Sequence, residues 1–107
     1  MTTQAKFYCN IGLLTSEERM HHKQLTDKLI AARQEIVESE QGYSFRVSLQ
    51  HMTLAEFAEW VNAESKCCPF FDFHIDLERE GSLLWLRLTG AEGIKAFIRS
   101  EFHVAEK

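Results

Sequence analysis

The chain is short of almost everything that punctuates or staples a fold. It has 1 proline and 5 glycines in 107 residues, too few for a flexible linker or a low-complexity segment. Its 3 cysteines are an odd number, which does not suit a disulfide framework. Free thiols, metal ligands or redox thiols are the readings left. No apolar run nears membrane-spanning length. The opening MTTQAKFYCN lacks the charged-then-apolar pattern of a secretory signal. A cytoplasmic protein without a membrane partner is therefore expected. Basic residues number 12 against 16 acidic ones, for a net charge of −4, and they form no block. That argues against a nucleic-acid surface, which needs clustered Lys and Arg. No G-x-S-x-G, P-loop or G-x-G-x-x-G pattern occurs, which removes the commonest hydrolase and nucleotide-binding signatures.

What is present is an ordinary globular composition, 45% hydrophobic and 26% charged, in a length that suits one domain spanning 1–107. KFYCNIGL alternates Phe7, Cys9 and Ile11 against Tyr8 and Asn10, the pattern of a strand. Thr15 and Glu18 form a capping-box signature before a helix. Leu25, Leu29, Ala32 and Ile36 keep helical spacing, so this helix is expected to run to about Ser39. YSFRVSL alternates Tyr43, Phe45, Val47 and Leu49 inward, a half-buried strand. Thr53 and Glu56 repeat the capping box. The second helix presents Leu54, Phe57, Ala58 and Val61, and Pro69 forces it to stop near the cysteines. Phe71, Phe73, Ile75 and Leu77 alternate next, then Leu84, Leu86 and Leu88, with a tight turn at Glu80-Gly81 between. Ile94, Phe97, Ile98 and Phe102 mark a last helix.

The expected order is β-α-β-α-β-β-α. Right-handed crossovers would make the first three strands parallel. The fold class is thus an α/β (α+β) two-layer sandwich with a mixed four-stranded sheet and helices mainly on one face. Tyr8, Leu83 and Trp85 fall on the open face, where Trp85 could seed a homodimer contact.

The feature without a plain structural reason is the doublet Cys67-Cys68, in ESKCCPFFDF. Helical geometry puts Cys68 near the apolar stripe and Cys67 to one side, so Cys68 is expected to be semi-buried and Cys67 more exposed. The pair sits at a helix C-terminus, the negative end of the dipole, with Glu64 adding charge nearby. Both favour the protonated thiol and work against an activated nucleophile. A bound soft metal reverses that preference, because it deprotonates the thiols it binds. Adjacent cysteines are not the C-x₂-C spacing of structural zinc sites. They better suit ions that accept two or three thiolates, such as Cu(I), Hg(II) or As(III). Cys9 would approach Cys68 to within about 10 Å if their strands were neighbours, which gives a three-thiol site of Cys9, Cys67 and Cys68. Glu64 and Pro69 would support it. The histidines show no ligand spacing. His21 and His22 read as boundary residues of the first helix, and His74 as part of a solvated strand face.

AESKCCPFFDFHIDLE followed by LLWLRLTGAEGIKAFI resembles a family of small bacterial proteins with the pattern Glu-x-x-Cys-Cys-Pro-Phe, then Trp-Leu-Arg-Leu-Thr-Gly, then Glu-Gly. The match falls on Glu64, Cys67, Cys68, Pro69, Phe70, Phe73, Trp85, Arg87, Thr89, Gly90, Glu92, Gly93, Lys95 and Phe97. Related segments resemble tails of mercury-resistance-type (MerR) transcription regulators. The resemblance implies soft-metal or thiol-stress biology, with a thiophilic metal ion as the ligand. Two readings follow. One is a metal-binding or sensing module. The other is a protein-interaction or dimerisation domain whose cysteines are structural. A thiol enzyme ranks behind both.

Overall fold

The computed structural model describes residues 11–104. After a short 3₁₀ turn at Ile11–Leu13, the elements are α1 (Ser16–Ala32), β1 (Arg33–Glu38), β2 (Gly42–Val47), α2 (Leu54–Cys67), β3 (Asp72–Glu78), β4 (Leu83–Thr89) and α3 (Ile94–Glu101). Both capping boxes form. Thr15 accepts from the Glu18 backbone while Glu18 accepts from that of Thr15, and Thr53 and Glu56 repeat the exchange. Each box satisfies donors that a helix start otherwise leaves open.

The two-layer sandwich with a four-stranded sheet stands, in the order β1-β2-β4-β3. The mixed character does not, because every strand pairing among the described residues is antiparallel. The expected strand at Phe7–Ile11 lies mostly outside the described residues, and Ile11 opens the 3₁₀ turn. The helix expected to reach Ser39 ends at Ala32. Arg33 leaves it in an extended conformation, and Arg33–Glu38 pairs with β2 as a hairpin. Cross-strand hydrogen bonds, closed by Ser39 donating to the Gly42 carbonyl at 2.9 Å, replace those of a longer helix. The strands on either side of α2 do run the same way, as expected, but β4 is inserted between them and pairs with both.

One row across the sheet, Ile36, Phe45, Leu86 and Ile75, faces the helices. Phe45, Leu84, Leu86 and Leu88 are buried there, while Trp85 and Leu83 on the other face stay half-buried. Alternation with period two puts one face in the core. At the centre lies Trp60, with no exposed surface. Its ring meets Phe102 edge-on at 5.9 Å and Phe73 at 6.3 Å, the offset geometry aromatic pairs prefer. Its indole N–H donates to Thr26 of α1 at 3.0 Å. This ring turns α2 about its axis. Phe57, Trp60, Glu64 and Cys67 face inward, whereas the expected inward Leu54 and Ala58 are exposed. No helix among the described residues is long and apolar enough to cross a membrane.

Gly42 shows how closely β2 and β4 approach. A Cβ there would lie 1.8 Å from the Leu88 carbonyl oxygen, a backbone atom that cannot rotate away. Gly42→Ala should therefore cost about 2–3 kcal/mol, the upper part of the overpacking range. Urea denaturation measures it, and a loss below about 0.5 kcal/mol would contradict the packing described.

Candidate metal centre

The last turn of α2 and the first half of α1 meet beside Trp60. Glu64 and Cys67 are three residues apart and share the inward side of α2. His22 lies three residues before Leu25 and seven before Leu29, on the stripe that α1 buries. The His22 ring stacks on Trp60 at 6.0 Å, and its Nε2 lies 2.7 Å from Glu64 Oε1. With the proton on Nε2, the ring donates to the carboxylate. Both residues are buried, at 8% and 4% exposure. His22 Nδ1 is also buried and has no hydrogen-bond partner among the described residues, an arrangement that costs about 1–3 kcal/mol.

Cys67 completes the group. One ligand atom each from His22, Glu64 and Cys67 lies within 4.8 Å of the others. A tetrahedral ion with bonds of about 2.0–2.3 Å holds its ligands roughly 3.4–3.7 Å apart. The side chains would have to close by about 1 Å to meet that geometry. Imidazole, carboxylate and a single thiolate form a mixed donor set, suited to borderline and thiophilic divalent ions. All three residues line one half-open cleft of about 300 Å³. Glu101 stands at its rim, exposed to solvent. Partial burial, and after it the charge of Glu64, raises its carboxyl above the usual range.

The cysteines differ from their expected roles. Cys67 is 1% exposed and Cys68 has no exposed surface, so the expected exposed member is buried. The turn of α2 toward Trp60 carries Cys67 inward with it. Cys67 is a free thiol, but Cys68 is disulfide-bonded, against the expectation of free thiols. The two sulfurs are 3.9 Å apart. Cys68 caps α2, its N–H donating to the Glu64 carbonyl at 2.7 Å, and Pro69 follows as an exposed turn residue. Cys9 and Tyr8 lie outside the described residues. Trp85 and Leu83 are far from the cleft in the fold, on the opposite sheet face. Trp85 stands in register with Arg46 and Asp76, so charged neighbours flank it. His74 lies 3.2 Å from the Thr89 hydroxyl, and His21 lies 3.5 Å from Glu59 in solvent.

His22 is the member that the spacing of histidines does not reveal. Its signal is its place on the buried stripe of α1, where a polar ring needs a partner. The chain matches no protein-family model, no curated protein and no solved structure.

Burial, and then the Glu64 charge, push the Cys67 thiol up to about 11 from the ordinary 9.0. Between those values the unfolded chain has lost the thiol proton while the folded chain keeps it. The unfolded state then binds fewer protons, so this contribution to stability is complete below pH 9 and disappears as pH rises through about 11. Alkylation of native Cys67 by iodoacetamide should therefore be slow at neutral pH and accelerate only near the upper value. Rapid, selective modification at pH 7 would contradict it.

Proposed function

We propose that this protein binds a thiophilic metal ion, of the zinc or cadmium class, through Cys67, His22 and Glu64. The observation that carries this reading is the gathering of three buried donors of different type around one point. A cation removes several costs at once. It takes the thiol proton's place and neutralises Glu64. A thiol nucleophile is less well supported, because burial and Glu64 hold Cys67 protonated.

The resemblance to segments behind mercury-resistance-type regulators supports a sensing or buffering role. In a cytoplasmic setting, reduction of Cys68 would place a second thiol 3.9 Å from the first. That would shift preference toward softer ions, which recovers the vicinal pair as a reduced-state feature. A homodimer through Trp85 and Leu83 receives less support, since Arg46 and Asp76 interrupt that face.

Titration with Cd(II) tests the proposal. One ion per chain should bind, with a cysteinate-to-metal charge-transfer band in the ultraviolet. Cys67→Ser should abolish the band and weaken binding at least about 100-fold, and His22→Ala should weaken it about 10–100-fold. Unchanged uptake by folded Cys67→Ser would overturn the reading.

A further inference from the structure

The sheet has two edges, and they are built differently. The β1 edge is blunted. Its register with β2 slips between Arg33 and Glu35, and Glu35 and Glu38 form ion pairs with Arg46 and Lys95. A bulge and charges along an edge discourage a further strand from pairing there. β3 has no bulge. It pairs with β4 one to one, from Asp72 opposite Thr89 to Glu78 opposite Leu83. Among the described residues no strand pairs with its other side. Ile75 and Leu77 lie on the helix side of the sheet, in register with the buried Leu86 and Leu84. They are nevertheless 46% and 45% exposed, so the helix layer stops short of this edge.

We infer that β3 is a dimerisation edge, pairing antiparallel with β3 of a second copy of this chain to give one continuous eight-stranded sheet. The strand's own sequence fits a second copy. All seven residues Asp72–Glu78 pair only if the middle one, Ile75, lies opposite Ile75 of the copy. Directly opposed residues of antiparallel strands share a face. Phe73 then meets Leu77, and three apolar side chains from each copy form one row on the helix side. On the other face His74 meets Asp76 twice. These are opposite charges when the ring is protonated, and a donor facing a carboxylate when it is not. Asp72 meets Glu78 at the two ends, where both are exposed and solvent screens the repulsion. A slip by one residue would turn the apolar row to the opposite face, so the register is fixed. The two outer edges of the dimer are both the blunted β1, which stops the assembly at two copies. The inference is independent of the metal-ion reading.

Sedimentation velocity of the unaltered chain between about 1 µM and 1 mM should show a monomer-to-dimer transition. Leu77→Lys puts the charge that natural edges use against pairing into the apolar row twice per dimer. It should raise the dimer Kd at least about tenfold. Cross-linking then reads the position. Opposed Cα atoms of antiparallel strands lie about 4.5 or 5.5 Å apart, within disulfide reach. Ile75→Cys should therefore form a covalent dimer under oxidised glutathione. Ile36→Cys, in the same row on the blunted edge, should stay mostly monomeric. Both positions are partly exposed, so both variants should fold, which circular dichroism checks. An unaltered chain that stays monomeric to about 1 mM would overturn the inference. So would a dimer that Leu77→Lys leaves unchanged, or cross-linking at Ile36 equal to that at Ile75.

Discussion

The hydrogen bond between His22 and Glu64 is the constraint on which this end of the molecule depends. Two ionisable side chains are buried beside an indole that has no contact with water. Such a pair is expensive to desolvate and is retained only with good geometry. At 2.7 Å the geometry is good. It couples α1 to the last turn of α2 and thereby sets where Cys67 points. Trp60 completes the coupling from the same helix, stacking on His22 and donating to Thr26. Removing either ionisable partner would leave the other buried without compensation, which costs more than an ordinary core truncation.

The pair is also why the cluster has chemical capacity. Polar groups in a core are normally satisfied to the last atom. Here, among the described residues, satisfaction stops one atom short, at His22 Nδ1, in the ring that shares its cluster with a thiol that burial keeps protonated. Stability alone does not require a histidine, a glutamate and a cysteine in the floor of a cleft. Leucines of similar volume would fill the same space at lower electrostatic cost. A cation that displaces the thiol proton turns each of these costs into an attraction.

The layer architecture was legible in the sequence because its signals are local. The capping boxes at Thr15 and Thr53, the alternation of Tyr43, Phe45 and Val47, and the turn around Gly81 all depend on neighbours in the chain. The strand Arg33–Glu38 was not legible. Ile36 continues the helical spacing of Leu29 and Ala32, and only the distant pairing with β2 decides against a helix. The antiparallel sheet follows from that missed hairpin together with the insertion of β4 between β2 and β3. The site was legible in the same uneven way. The doublet of cysteines stands out in any reading, and Glu64 lies close enough to be noticed. Which cysteine faces the site depends on the rotation of α2, and that is set by Trp60 packing between Thr26 and Phe102. His22 comes from 42 residues away from Glu64. A buried glutamate and a buried histidine each look like surface residues until the fold puts them together.

The most direct test of the central claim is X-ray absorption spectroscopy of the zinc-loaded protein. One sulfur at about 2.3 Å is expected, with the remaining donors nitrogen or oxygen at about 2.0–2.2 Å. A shell of two or three sulfurs would return the site to the cysteines alone. A shell without sulfur would contradict the assignment of Cys67 as a ligand.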